Sequence, residues 1–147
     1  MALITQRRID TLLSKYSESH RNPKNETIHC VCVPVIVFSL LGLLWTLHPL
    51  IAVAIVGLSL IYYFTLSTRF MLGMLLMFSV MLSALLALPQ DWILPVSIGI
   101  FVIAWIGQFI GHHIEGKKPS FFEDLRFLLI GPLFVLGFLY RHLKIAY

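Results

Sequence analysis

Four of the six histidines in this chain of 147 residues fall into two clusters that are far apart in the sequence. His20 and His29 lie just before the first long apolar run. His112 and His113 lie at the end of the last such run, and Glu115 follows them. Imidazole nitrogens and a carboxylate are ligand types that suit Fe(II), other first-row metals and zinc. The two clusters therefore indicate a metal site if the fold brings them together.

The chain around these clusters is strongly apolar. Hydrophobic residues make up 59% of it, charged residues only 12%, and the mean hydropathy is +0.89, far from the usage of a soluble domain. A membrane-spanning helix needs about 20 apolar residues at a rise of 1.5 Å each. The uncharged runs predict an all-α integral membrane helical bundle, a single membrane domain over residues 1–147, with four spans at about residues 28–47, 50–66, 70–88 and 92–111.

Both ends of the chain are expected to be helical without spanning. Apolar residues recur at helical spacing over residues 4–16 with charges between them, which predicts either an amphipathic N-terminal helix on the membrane surface or an ordinary frayed N-terminal helix. At Asn22 and Pro23 the chain can restart as a helix, with Asn22 as its N-cap. The apolar stretch within residues 121–140 is short and interrupted at Gly131 and Pro132, which favours a re-entrant or interfacial hairpin.

Four spans place most of the basic residues of the connections on one side of the membrane. Arg69, Lys117, Lys118 and Arg141 lie on the side of the N-terminus, whereas Asp91 lies on the other. By the positive-inside rule both termini are expected to be cytoplasmic, and we expect a bacterial inner membrane. The same count places the two histidine clusters at one membrane face.

Helical spacing indicates which side chains of the clusters can act together. Asn25 and His29 are four residues apart and share a helix face, as do His112 and Glu115, which are three apart. His113 is rotated by about 100° from His112, so both reach one ion only if the helix unwinds. Interfacial histidines also occur as simple amphipathic residues. Spacing alone therefore leaves open a non-catalytic membrane protein that binds or scaffolds lipid.

Other classes fit the sequence less well. The basic residues flank apolar runs instead of forming a patch with interleaved aromatics, so no nucleic acid is expected as a partner. Di-iron lipid hydroxylases carry more histidines in boxes that this chain lacks, and no charged midplane residue suggests a transporter. His48, in a turn at the opposite face, is expected to be structural, and His142 to face headgroups.

Two separate motifs resemble the signatures of the 2-hydroxy fatty acid dioxygenase family first named from fungi. The first is residues 16–29, YSESHRNPKNETIH, followed by Pro34. The second is residues 105–112, WIGQFIGH, followed by Glu115, by Pro119 and by the GPLF sequence of residues 131–134. The resemblance covers almost the whole chain, which is short like the bacterial members.

This resemblance implies an Fe(II)-dependent membrane dioxygenase that shortens long-chain 2-hydroxy fatty acids by one carbon, through α-oxidation with dioxygen. The implied partners are the 2-hydroxy fatty acid, dioxygen and membrane lipid. Zinc would fit the same ligands in a recombinant sample. The implied site comprises His20, His29 and His112 as metal-site residues, Glu115 as a fourth ligand or a supporting carboxylate, and Asn25 and Gln108 as supporting polar groups. From the residues themselves, His113 is a further candidate for the fourth ligand, and we expect Lys117 and Lys118 to bind the substrate carboxylate.

Overall fold

The computed structural model describes residues 7–118 and 121–147, with only the backbone of residues 125 and 126. This part of the chain is helical and contains no strand. Its helices are α1 (Arg8–Ser17), α2 (Pro23–Leu47), α3 (Pro49–Leu66), α4 (Thr68–Ala87), α5 (Gln90–Glu115), α6 (Phe121–Arg126) and α7 (Ile130–His142).

Helices α2, α3, α4 and α5 are each long and apolar enough to cross a membrane, which confirms the predicted four-span bundle. Two of them, α2 and α5, extend beyond the predicted spans by four residues or more at one end. Helix α2 begins at Pro23 because the Asn22 side chain accepts the N–H of Lys24 at 3.0 Å and caps it. Helix α5 continues to Glu115 and ends at Gly116, whose φ of 75° suits glycine.

Glycines on α5 allow α2 and α5 to pack closely. A Cβ built on Gly107 would lie 2.6 Å from Cys32 Sγ. One built on Gly111 would collide with the Asn25 side chain and lie 3.2 Å from the His29 ring. Small residues at such contacts let two helix backbones approach each other. This contact brings the first turns of α2 against the last turns of α5.

Helix α1 turns its apolar side toward the protein. Ile9, Leu13 and Tyr16 are buried, and Tyr16 packs on Phe134 of α7 with ring centroids 4.9 Å apart. The helix forms within the predicted segment, whose first three residues lie outside the described part. Its placement on the membrane surface remains a prediction.

The C-terminal segment forms two helices joined by a short turn. Gly131 and Pro132 lie in the first turn of α7, where proline is tolerated, and both are buried. The Tyr63 hydroxyl of α3 donates to the carbonyl of Leu129 at 2.9 Å and fastens the turn to the bundle. A re-entrant or interfacial position for this segment remains a prediction.

Both ends of the described chain meet the α3–α4 connection at one end of the bundle. Arg7 donates to the carbonyl of Tyr147 at 2.6 Å, and Arg69 donates to the carbonyl of Ala146. The Tyr140 hydroxyl donates to the Arg69 carbonyl at 2.7 Å. The structure thus groups these segments at one end, as the four-span count predicts.

Candidate metal centre

Three histidines from separate parts of the chain meet at this end of the bundle. The ring centroids of His20 and His29 are 4.1 Å apart, those of His29 and His112 are 5.1 Å apart, and those of His20 and His112 are 6.1 Å apart. All three side chains are buried, with 1–6% of each residue exposed. Because α2 and α5 pack closely at Gly111, the two sequence clusters become one group.

Two of these rings are held by backbone carbonyls one helical turn earlier. His20 Nδ1–H donates to the carbonyl of Tyr16 at 2.8 Å, and His29 Nδ1–H donates to the carbonyl of Asn25 at 3.0 Å. A carbonyl oxygen only accepts hydrogen bonds, so Nδ1 carries the proton in both rings. Each Nε2 is then left with its lone pair.

The third ring is held by a carboxylate. His112 Nε2–H donates to Asp124 of α6, whose two oxygens lie 3.1 and 3.0 Å away. The lone pair of His112 is therefore on Nδ1. A ligating histidine typically donates its other N–H to a carboxylate or a backbone carbonyl, which fixes the ring and its tautomer. All three rings have this arrangement.

Among the residues that the structure describes, the free nitrogens of the three rings are buried without a hydrogen-bond partner. They are His20 Nε2, His29 Nε2 and His112 Nδ1. A buried polar atom without a partner costs about 1–3 kcal/mol, so such atoms are rare unless a ligand satisfies them. Three unpartnered lone pairs on neighbouring imidazoles fit a divalent cation.

The rings are close together but not yet arranged around one point. Within residues 7–118 and 121–147, no group of three or more His, Cys, Asp or Glu side chains already has an arrangement that could hold a metal ion. Binding of an ion therefore requires the rings to rotate toward one another.

Glu115 is occupied by amide donors. Its carboxylate accepts the backbone N–H of Arg21 at 3.0 Å, the N–H of Asn22 at 2.9 Å and the Asn25 side-chain amide at 3.0 Å. These bonds fasten the α1–α2 loop and the start of α2 to the end of α5. The geometry favours a supporting role for Glu115 over ligation.

The other residues predicted for the site differ in their burial. His113 is exposed, away from the three buried rings. Asn25 and Gln108 are buried, and the side-chain oxygen of each has no hydrogen-bond partner. Gln108 and Trp105 line a narrow cavity of about 20 Å³ next to Asp124.

A polar cavity of about 180 Å³ opens beside the histidines. His20 and His112 line it, together with Asp124 and the two lysines predicted to bind a carboxylate, Lys117 and Lys118. The Lys117 ammonium donates to the Ser19 hydroxyl at 3.1 Å, so it is held over the α1–α2 loop. The cavity thus combines candidate ligands with three lysines and three carboxylates, which are Lys15, Lys117, Lys118, Glu18, Glu123 and Asp124.

Burial favours the uncharged forms of His20 and Tyr16 beside the cavity. Burial lowers the pKa of His20, and the nearby His112 lowers it further, while the Tyr16 carbonyl and two carboxylates oppose the shift. The Tyr16 ring stacks on His20 with centroids 4.3 Å apart, and burial raises the pKa of its phenol. A neutral imidazole is the form that binds a metal.

Asp124 belongs to the candidate site through its contact with His112, and sequence reasoning missed it. It lies 12 residues beyond His112 and on another helix, so no helical spacing links the two. Its only sequence signal is an acidic pair, Glu123 and Asp124, inside an otherwise apolar segment.

His48 caps a helix, as expected of a structural residue, whereas the expected position of His142 at the headgroups stays a prediction. His48 Nδ1 accepts the N–H of Leu50 at 3.2 Å and caps α3 at the opposite end of the bundle. His142 is exposed, and its ring stacks on Phe138 with centroids 5.1 Å apart.

The fold and the site define a class: a four-span helical membrane protein with a buried cluster of three histidines at one end of the bundle. The sequence pattern of the Mpo1-like family, described as 2-hydroxy-palmitic acid dioxygenase Mpo1-like, matches residues 6–143. The chain is also 33% identical over 132 residues to the 2-hydroxy-palmitic acid dioxygenase MPO1 of Saccharomyces cerevisiae, covering 84% of this chain and 75% of that protein. The chain belongs to the Mpo1-like family, which confirms the predicted resemblance. No solved structure matches it.

Proposed function

We propose that this protein is a membrane dioxygenase that depends on Fe(II) and shortens long-chain 2-hydroxy fatty acids by one carbon. The observation that carries the proposal is the shared pattern of His20, His29 and His112, in which one ring nitrogen is held by an oxygen acceptor and the other is bare. The name of the yeast relative, 2-hydroxy-palmitic acid dioxygenase, supports the substrate class.

The proposed reaction balances without a further reductant. A 2-hydroxy acid, R–CH(OH)–COOH, and dioxygen give R–COOH, carbon dioxide and water. The bond between C1 and C2 breaks, the two carbons together lose four electrons, and dioxygen accepts all four. When bound, iron would act as the Lewis acid that the hydroxyl and the carboxylate of the substrate chelate. It would also supply the redox chemistry that dioxygen requires.

Each residue of the site has a role in this proposal. His20, His29 and His112 hold the ion, and zinc would fit the same nitrogens in a recombinant sample. Asp124 fixes the tautomer of His112, so that Nδ1 faces the ion. Glu115 holds the backbone that carries His20.

The substrate carboxylate enters through the lysine-lined cavity. Lys117 and Lys118 lie beside His20 and His112 there and attract the carboxylate before it chelates. The acyl tail belongs in an apolar environment, because burying each CH₂ contributes about 0.8 kcal/mol. The reacting carbons therefore sit at headgroup depth.

We further propose that this end of the bundle faces the cytoplasm. Arg7, Arg69, Lys117 and Arg141 gather at it, as the positive-inside rule requires of a cytoplasmic face. A cysteine placed at Ala146, in a chain whose Cys30 and Cys32 are serine, should resist an impermeant thiol reagent in intact cells. Labelling from outside would show that this end of the bundle does not face the cytoplasm.

The direct test of the function is an assay of purified protein reconstituted anaerobically with Fe(II). On admission of air, 2-hydroxypalmitate should disappear and the saturated acid one carbon shorter should appear with carbon dioxide. Palmitate itself, which lacks the hydroxyl, should remain intact. If the iron-loaded protein converts no 2-hydroxy acid, the lipid-binding or scaffold interpretation replaces this one.

A further inference from the structure

An apolar groove lies along α2, beyond the histidine site. It encloses about 210 Å³ between α2, α3, α4 and the α6–α7 turn. Its walls include Val37, Leu41 and Leu44 of α2 and Ile55 of α3. Within the described part of the chain, no charged residue lines it. The hydroxyl of Tyr63, another wall residue, is engaged with the Leu129 carbonyl.

Residues that line more than one cavity place this groove next to the site. Asp124 and Phe127 line both the polar cavity and the narrow cavity beside Gln108. Leu128 lines both the narrow cavity and the apolar groove. The three spaces are therefore adjacent, in the order polar cavity, narrow cavity and apolar groove, and Leu128 forms part of the wall between the last two.

The groove also has the length that a long acyl chain needs. Val37 and Leu44 lie 8 and 15 residues beyond His29 on one continuous helix. At 1.5 Å per residue, the groove begins about 12 Å and ends about 22 Å from the level of His29. A short acyl chain does not reach these distances, whereas a long one does.

We infer that this groove, and not the surrounding lipid, holds the acyl tail of the substrate and selects its chain length. The inference rests on the proposed function for the identity of the head group. The lysine-lined cavity receives the carboxylate at one end, and the groove receives the last carbons of the tail at the other. The Leu128 side chain must turn aside for the tail to pass.

The first test fills the groove and measures turnover against chain length. Ile55 lines the groove and is 40% exposed, so Ile55→Trp can enter the groove without disrupting the core. The matched control is Ile61→Trp on the same helix, because Ile61 is 65% exposed and lies about 240° around the helix from Ile55. A second groove variant, Ser59→Leu, guards against a folding defect in the first.

We expect Ile55→Trp to lower kcat/KM for 2-hydroxypalmitate roughly tenfold or more, the effect of leaving about two CH₂ groups unburied. The value for 2-hydroxyoctanoate should not change, because its tail ends before the groove. Ile61→Trp should match the wild type for both acids. If the groove variants keep the wild-type dependence on chain length while the wild type turns over, the inference is wrong and the proposed function stands.

The second test measures binding without turnover. A long-chain 2-hydroxy acid with a diazirine near its terminal carbon is photolysed with the full-length protein in lipid nanodiscs, and the labelled residues are located by mass spectrometry. Label on the groove residues of α2 and α3 that excess 2-hydroxypalmitate displaces supports the inference. Absence of label there, or label that excess acid does not displace, overturns it, because ordinary lipid then occupies the groove. This photolabelling measurement tests whether the groove holds the acyl tail even if the protein turns over no acid.

Discussion

His112 donates its Nε2 proton to the carboxylate of Asp124, with the closer oxygen 3.0 Å away. His112 lies in the last turn of α5, the longest helix of the bundle. Asp124 lies on α6, beyond the turn at Gly116. The bond leaves the lone pair of His112 on Nδ1, next to the rings of His20 and His29. Helix α6 is therefore part of the candidate metal centre.

Asp124→Asn should weaken metal binding without abolishing it. An amide side chain can present its NH₂ group to Nε2 and stabilise the wrong tautomer of His112. We expect the affinity for Fe(II) to fall about 10–100-fold, as for other partners of ligating histidines. A titration against a competing chelator measures this. Asp91→Asn, at an exposed position near the other end of the bundle, is the control. Equal affinities of Asp124→Asn and Asp91→Asn for Fe(II) would show that Asp124 does not support the metal centre.

Glu115→Gln separates a supporting carboxylate from a ligand. The glutamine NH₂ group cannot accept from the backbone N–H groups of Arg21 and Asn22, so part of this clasp is lost. We expect the free energy of unfolding to fall by about 1 kcal/mol, with metal content preserved. Thermal unfolding and elemental analysis are the two readouts, and Glu26→Gln on α2 is the control. Loss of the metal with unchanged stability would instead make Glu115 a ligand.

Gly111→Ala should force α2 and α5 apart. The added methyl group would collide with the Asn25 side chain and press on the His29 ring, so both stability and metal content should fall. Gly99→Ala on the same helix is the matched control, because nothing lies within 4 Å of its added Cβ. Its stability should be unchanged or raised by up to about 1 kcal/mol. A Gly111→Ala protein that binds metal normally would contradict the close packing.

The double variant Lys117→Gln/Lys118→Gln should raise KM for the 2-hydroxy acid about fivefold and leave kcat unchanged. The reason is that these lysines act before chelation. A fivefold change corresponds to the loss of an exposed ion pair of about 1 kcal/mol. Steady-state kinetics at low salt provide the measurement. Lys24→Gln, which removes a positive charge from an exposed position outside the cavity, is the control. A fall in kcat with KM unchanged would place the lysines in the chemical step.

The sequence predicts the bundle and places both histidine clusters at one membrane face, because both features follow from short-range rules. Gaps between charges set the spans, and an even number of spans returns His112 to the end where His29 starts. The local signal of Asn22 and Pro23 predicts the first turn of α2, which carries Asn25 and His29 inward. These features need no knowledge of which helices pack together.

The remaining features depend on tertiary contacts that spacing does not encode. Asp124 reaches His112 only because the chain turns back after Gly116. The partners of Glu115 include two backbone N–H groups, which no side-chain pattern displays. The apolar stripe of α1 is visible in the sequence, but a lipid surface and helix α7 are both apolar, so the stripe does not reveal its partner.

The measurement that tests the central claim most directly is the metal content of single-histidine variants after anaerobic Fe(II) reconstitution. The wild type should hold one ion per chain, and His20→Ala, His29→Ala and His112→Ala should each lose most of it. His113→Ala should retain it, because that ring is exposed and apart from the three buried ones. If the three variants hold as much iron as the wild type, these histidines do not form a metal centre.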